Sequence, residues 1–333
     1  MKSLNYRISN KEFKWAFSST KVKFLEKKLL SQSQIDSLMG SENRAQFLKQ
    51  ISDTRYGIYI EGSNLDIEKL YSSEIAELKS ILPQLIPEKD RTLDFLFIRQ
   101  DIGLLKNIYK LFMRGSEFNH ILSRINFLNQ EALKSGFEKK EFSNLLGLEK
   151  ILNNAVNNEL PSIDKELDKY YFSVLKNIIK KNSKYIQKII RWEIDFYNIK
   201  MILRYFLYEI EGMAGRKNLD FMDGGLISVD FLNRAIEEDI EFFIANMPLE
   251  YKKIVSGAWE NYKAGNNFVS LDIGFYNLLI SHVKEAKFYL LRVETVVAYI
   301  LALLRELMLV RRAFMLANNE IQEQNIREQT YAS

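Results

Sequence analysis

Three acids in apolar surroundings, Asp101, Asp195 and Glu306, are the side chains best placed to do chemistry. Burial disfavours the charged form of a carboxyl group, and a raised pKa would suit it to exchange a proton near neutral pH. Each acid is followed at +4 and +7 by apolar residues: Leu105 and Ile108, Ile199 and Ile202, Val310 and Ala313. On a helix, positions +3, +4, +7 and +11 share the face of the acid, and upstream residues Phe97, Ile98, Trp192 and Leu303 extend that face. Each carboxylate is therefore expected on or beside a buried stripe. Each also has a base at +5, namely Lys106, Lys200 and Arg311, turned by about 140° from the acid. Such a base is not the i,i+4 partner of its acid and must meet a group on another helix. The acid–base spacing alone carries little, because this composition yields about six such pairs by chance. Catalysis needs one differentiated site, whereas these acids recur in equivalent settings. They are expected to be hydrogen-bonded structural carboxylates, with no catalytic residue among them.

Other chemistries lack their residues. With no Cys there is no disulfide, zinc-thiolate cluster, iron–sulfur site or cysteine nucleophile. His120 and His282 stand far apart in unrelated contexts, which removes HExxH and histidine-rich metal sites and leaves two structural histidines. Neither GxxxxGK[ST] nor GxSxG occurs, and Asp223-Gly224-Gly225 is followed by Leu226 and Ile227 without a lysine. The run Glu237, Glu238, Asp239, Glu241 would put Glu237 and Glu241 on one helix face, where a solvated surface is favoured over a hard-cation site. No cofactor and no metal are expected. The 47 basic and 43 acidic residues leave +4, too even a balance for non-specific nucleic-acid affinity. The basic stretches Lys21–Lys28 and Lys176–Lys188 alternate with apolar residues; if functional, such a face is expected to contact protein.

The elements that position these residues are helices. Only 14 Gly and 4 Pro punctuate 333 residues, and apolar residues recur at three- and four-residue intervals almost throughout. About a dozen helices are expected, several longer than twenty residues. Breaks are expected at Pro83 and Pro87, Pro161, the Gly212–Gly225 stretch and Pro248. A second triplet, Leu65-Asp66, Leu167-Asp168 and Leu271-Asp272, is spaced by 102 and 104 residues, against 94 and 111 for the acids. Both imply one unit of roughly a hundred residues used three times, with boundaries near residues 114 and 214. The expected fold is thus all-α, with three similar helical domains over 1–114, 115–214 and 215–333. Met1 to Phe13 lacks the apolar core of a signal peptide, and Thr295–Leu304 falls short of a bilayer span, so no membrane crossing is expected.

Particular segments resemble a known family, the C subunit of the V/A-type rotary ATPases, whose counterpart in eukaryotic vacuolar enzymes is the d subunit. Lys21 to Leu30 is similar to its first helix. Leu48 through Thr54-Arg55-Tyr56-Gly57 resembles its leucine and Thr-x-Tyr-Gly turn. The most specific segment is Asp195 to Arg204, containing Asn198-Ile199-Lys200 and Ile202-Leu203-Arg204, with Gly224-Gly225-Leu226 following. Glu294, Tyr299-Ile300 and Glu306 to Arg311-Arg312 resemble the closing helix, although Ala302-Leu303-Leu304-Arg305 departs from the more charged stretch expected there.

The resemblance implies an all-helical, funnel-like protein of three similar domains in pseudo-threefold arrangement. It also implies a non-catalytic rotor adaptor between the central-stalk subunits and the membrane proteolipid ring. Such an adaptor transmits torque for ATP-coupled H+ or Na+ transport and is cytoplasmic and peripheral to the membrane. Two other readings are open on the residues alone. One is an α-helical scaffold or binding module with another protein partner. The other is a helical enzyme using a buried acid, for which Asp195→Asn would abolish activity without loss of helix.

Overall fold

In the computed structural model, the residues described are 10–62, 64–86, 93–125, 127–157, 162–210, 219–265, 269–286 and 292–318. They form fifteen α-helices, and the only strands among them are the two-residue pair Ile60–Glu61 and Asn64–Leu65. The fold is all-α. In chain order the helices are α1 (Asn10–Glu26), α2 (Gln32–Met39), α3 (Arg44–Ser52), α4 (Ile67–Leu85), α5 (Asp94–Met113), α6 (Asn119–Leu122), α7 (Gln130–Lys139), α8 (Glu149–Val156), α9 (Ile163–Ile179), α10 (Lys184–Ile210), α11 (Val229–Glu237), α12 (Ile240–Ala245), α13 (Leu249–Gly265), α14 (Val269–Glu285) and α15 (Val293–Ala317). Two of these exceed twenty residues, α10 and α15.

Side-chain caps decide where many of these helices begin. Ser31, Asn43, Asp66, Asn129, Ser162, Ser228 and Asp239 each accept a bond from an amide of the first turn, satisfying donors that the helix leaves unpaired. Two sequence expectations fail for local reasons. Pro83 does not itself end its helix: α4 runs two residues further, to Leu85, and Ile86 N–H still bonds the Leu82 carbonyl. Glu237 and Glu241 do not share a helix face, because α11 stops at Glu237 and Asp239 caps the new helix α12. Pro87 and Pro161 lie outside the described residues, as does the first half of the stretch from Gly212 to Gly225.

The chain divides into two compact units, one of residues 1–90 with 253–333 and one of residues 91–252. The first draws on both chain ends because α15 packs against α1, α2, α3 and α4, and against α14. Phe47 of α3 meets Phe314 of α15 edge-on, with ring centroids 5.7 Å apart. In the second unit α5 and α10 both pack on α9, and Phe112, Phe118, Phe137 and Phe142 form a continuous aromatic cluster. Compactness thus partitions the chain at other points than residues 114 and 214. No described helix is long and apolar enough to cross a membrane.

Candidate functional site

The three singled-out acids are buried, with Asp101 and Asp195 at 0% and Glu306 at 3% exposure. A carboxylate removed from water must replace its lost hydration with hydrogen-bond donors, and those donors identify its role. On α5, Asp101 Oδ2 accepts from the backbone N–H groups of Phe127 and Leu128, the latter at 2.8 Å. On α10, Asp195 accepts from Leu226 N–H at 2.8 Å, Ile227 N–H at 3.0 Å and the Tyr251 hydroxyl at 2.7 Å. On α15, Glu306 accepts from Leu30 N–H and, at 2.6 Å, from the Tyr56 hydroxyl.

The three sites repeat one local geometry. Leu30, Leu128 and Ile227 each directly precede a capping residue, Ser31, Asn129 and Ser228, whose side chain accepts from an amide in the first turn of α2, α7 and α11. The caps lie 98 and 99 residues apart, a tighter period than the acids themselves show. In each short helix the fourth residue, Ile35, Leu133 or Leu232, is buried, giving the apolar spacing of a hydrophobic staple with the residue before the cap. A long helix thus uses one inward carboxylate to hold the entry segment of a short helix, and does so three times. In chain order, α5 holds the entry to α7, α10 holds the entry to α11, and α15 returns to hold the entry to α2.

The surroundings differ in detail. One turn after Asp195, buried Asn198 makes a two-way bond with Met222, donating to its carbonyl at 2.7 Å and accepting from its amide at 2.8 Å. Gly225 is needed for close approach: a Cβ there would stand 2.0 Å from Asp195 Oδ1. Near Glu306 lies a second buried acid, Glu74 of α4, at 4% exposure. Arg55 joins them, donating to Glu74 at 2.8 Å and to the Tyr56 hydroxyl at 2.7 Å, with Glu306 at 3.4 Å. Tyr59 completes the group with a bond to Glu74 at 3.0 Å.

Burial sets the direction of the pKa shifts. It raises Asp195 and Glu306 above the ordinary carboxylate value, although the Tyr251 or Tyr56 hydroxyl and the backbone amides pull each part of the way back. Glu74 is also raised by burial, against the pull of Arg55. The two phenols are pushed well above their usual range by burial and the adjacent carboxylate. Tyr59 is raised to about 12 by burial and Glu74. Tyr56 and Tyr251 therefore stay protonated and donate. Asp195 and Glu306 each face backbone amides and a phenol, and Asp101 two backbone amides, an arrangement that fastens a segment.

Lys106 and Arg311 meet another helix, as the 140° offset requires. Lys106 of α5 bonds Asp168 of α9 at 2.6 Å, and Arg311 of α15 pairs with Glu68 of α4. Lys200 lies over the ring of Phe196 on its own helix, 4.2 Å from the centroid. The second triplet does not share one geometry: Asp66 caps α4, Asp168 sits within α9, and Asp272 stands in the first turn of α14. His282 is buried and 3.0 Å from Glu285, and His120 is exposed. No group of three or more potential metal ligands occurs among the described residues.

The partners of the acids escape a reading of the sequence. Backbone amides carry no sequence signature, but the pattern of apolar residue, Ser or Asn cap and apolar residue four further on was available at all three places. Arg55, Tyr56 and Gly225 stand within the resembling segments without an assigned role, while Tyr251 and Glu74 carry no local signal.

Comparison with known proteins finds relatives over nearly the whole chain. Residues 18–329 match the family model described as ATP synthase (C/AC39) subunit. The C subunit of the A-type ATP synthase of Thermococcus gammatolerans is 20% identical over 97% of this chain and 91% of its own length. That of Pyrococcus abyssi is 22% identical over 94% and 89%, and that of Pyrococcus horikoshii 21% over 94% and 89%. With an all-α fold and a match running from α1 to beyond α15, the chain belongs to the ATP synthase (C/AC39) subunit family.

Proposed function

We propose that this chain is a non-catalytic rotor adaptor of a V/A-type rotary ATPase. It links the central-stalk subunits to the membrane proteolipid ring and carries torque between ATP chemistry and H+ or Na+ transport. The observation that carries the reading is the family match over residues 18–329, together with relatives that are the C subunits of A-type ATP synthases. On this reading the chain is peripheral to the membrane on the cytoplasmic side and comprises three successive copies of one helical module, over 1–114, 115–214 and 215–333.

The buried carboxylates suit that work. A torque-bearing part has to resist shear, and packed helices transmit strain with little compression. The weak points are the joints where one helix hands over to the next. Fastening the entry to α2, α7 and α11 from a long helix stiffens those joints, and hydrogen bonds to a charged acceptor contribute about 1.5–3 kcal/mol each. Recurrence of the same joint favours a mechanical role over catalysis, which would single out one acid.

Affinity capture with a tagged full-length chain in its native cells tests the reading. Recovery of central-stalk subunits and the proteolipid is expected. Capture of neither, with stable recovery of an unrelated complex, would overturn it in favour of a scaffold with another partner. If Asp195→Asn abolished an assayable enzymatic turnover while helix content stayed intact, the catalytic reading would replace it.

A further inference from the structure

The outward face of α1 carries exposed aromatic rings between lysines. Its inward face, Ser18, Ser19, Val22 and Leu25, is buried at 0–5% exposure, and α1 packs on α4 and α15. Opposite them, Phe17 and Phe24 are each 64% exposed, although a phenylalanine gains substantially from leaving water. Seven residues apart, they lie on one line of the helix, about 10 Å from each other along the axis. Lysines are interleaved on that line. The Lys21 ammonium stands 5.9 Å from the Phe17 ring and also reaches Gln84, and Lys28, in the turn after the helix, stands 5.9 Å from the Phe24 ring.

Charge is also concentrated in this segment of the sequence. Residues 10–28 contain six lysines and two glutamates, a net +4 equal to the formal net charge of all 333 residues. The remainder of the chain is therefore balanced, and α1 with its following turn carries the whole excess. A ridge of two exposed phenylalanines with lysine ammonium groups beside the rings is an arrangement that enters the boundary of an anionic bilayer. The rings sink below the headgroups while the ammonium groups stay among the phosphates. A flat lipid surface also needs no complementary groove, which suits a ridge.

We infer that the Phe17–Lys21–Phe24–Lys28 face of α1 is a docking surface for anionic lipid headgroups. It does not depend on the adaptor reading, since the isolated chain is enough to test it. Full-length protein is sedimented with phosphatidylcholine vesicles, with and without about a third phosphatidylglycerol, at low and high salt. Binding is expected only with phosphatidylglycerol and is expected to weaken with salt. Replacing Lys21 and Lys28 by Gln should weaken it about fivefold per charge. Phe17→Ser with Phe24→Ser should weaken it about tenfold or more, with thermal unfolding unchanged because both rings are already exposed. Equal binding to neutral vesicles, or wild-type binding by both double variants, would overturn the proposal. It would also be overturned if the phenylalanine variant kept its vesicle binding and lost capture of a protein partner, which would make the face a protein interface.

Discussion

Asp195 and Glu306 each hold the entry to a short helix through a backbone amide and a tyrosine hydroxyl, yet their settings differ. The bonds to Asp195 come from neutral donors, two amides and a phenol. Glu306 instead shares its pocket with a second carboxylate and a guanidinium. The chain separations account for part of this. Asp195 and Ile227 are 32 residues apart, whereas Glu306 and Leu30 are 276 apart. Closing the longer loop costs about 2 kcal/mol more, on the order of one charge-assisted hydrogen bond. The joint that ties the chain's two ends together is the one reinforced by ions. A local joint works with neutral donors, and a long-range one gains from the Arg55 bridge.

The largest expected effect breaks that bridge. Arg55→Met leaves Glu74 and Glu306 facing each other without a cation, and about 3–5 kcal/mol should be lost in urea unfolding. A loss below about 1 kcal/mol would mean that the ion cluster adds nothing to the joint. Next comes the neutral joint: Gly225→Ala pushes a methyl group into Asp195 and should cost about 2–3 kcal/mol. If it proved silent, the segment from Gly225 to Ile227 would have room to move. Smaller again is Lys106→Met, expected to cost under about 1 kcal/mol, because its pair with Asp168 is partly open to water.

The smallest effect is a pH slope to which both joints contribute in the same direction, with two raised carboxylates at the ion-bearing joint and one at the neutral joint. Glu74 and Glu306 have folded-state pKa values raised by burial, so the folded chain binds protons more tightly than the unfolded one. Their contribution to stability is greatest below the ordinary carboxylate value of about 4 and falls as pH rises from there through the raised values. Glu74→Gln should flatten this slope relative to the parent chain, and paired thermal melts across that window would measure the difference. A steeper slope in the variant would reverse the assigned direction.

Much of this was legible from residue order. The all-helical fold follows from the three-and-four spacing, and the buried acids follow from apolar residues on the same face. Where the readings failed, a competing local effect won. Pro83 was tolerated because it lies near its helix end, and Asp239 started a new helix that parted Glu237 from Glu241. The closure of Glu306 on Leu30 was beyond reach because nothing local marks a contact across 276 residues.

Native-state hydrogen exchange at the amides of Leu30, Leu128 and Ile227 tests most directly whether the carboxylates fasten these joints. All three amides lie outside helices, where water would ordinarily reach them. They are expected to exchange as slowly as the cores of α5, α10 and α15. In Asp195→Asn, whose single carbonyl oxygen cannot serve every donor, Ile227 alone should speed up, with a loss of about 1–3 kcal/mol of protection. Fast exchange at all three in the parent chain, or an Ile227 rate indifferent to Asp195→Asn, would contradict the account.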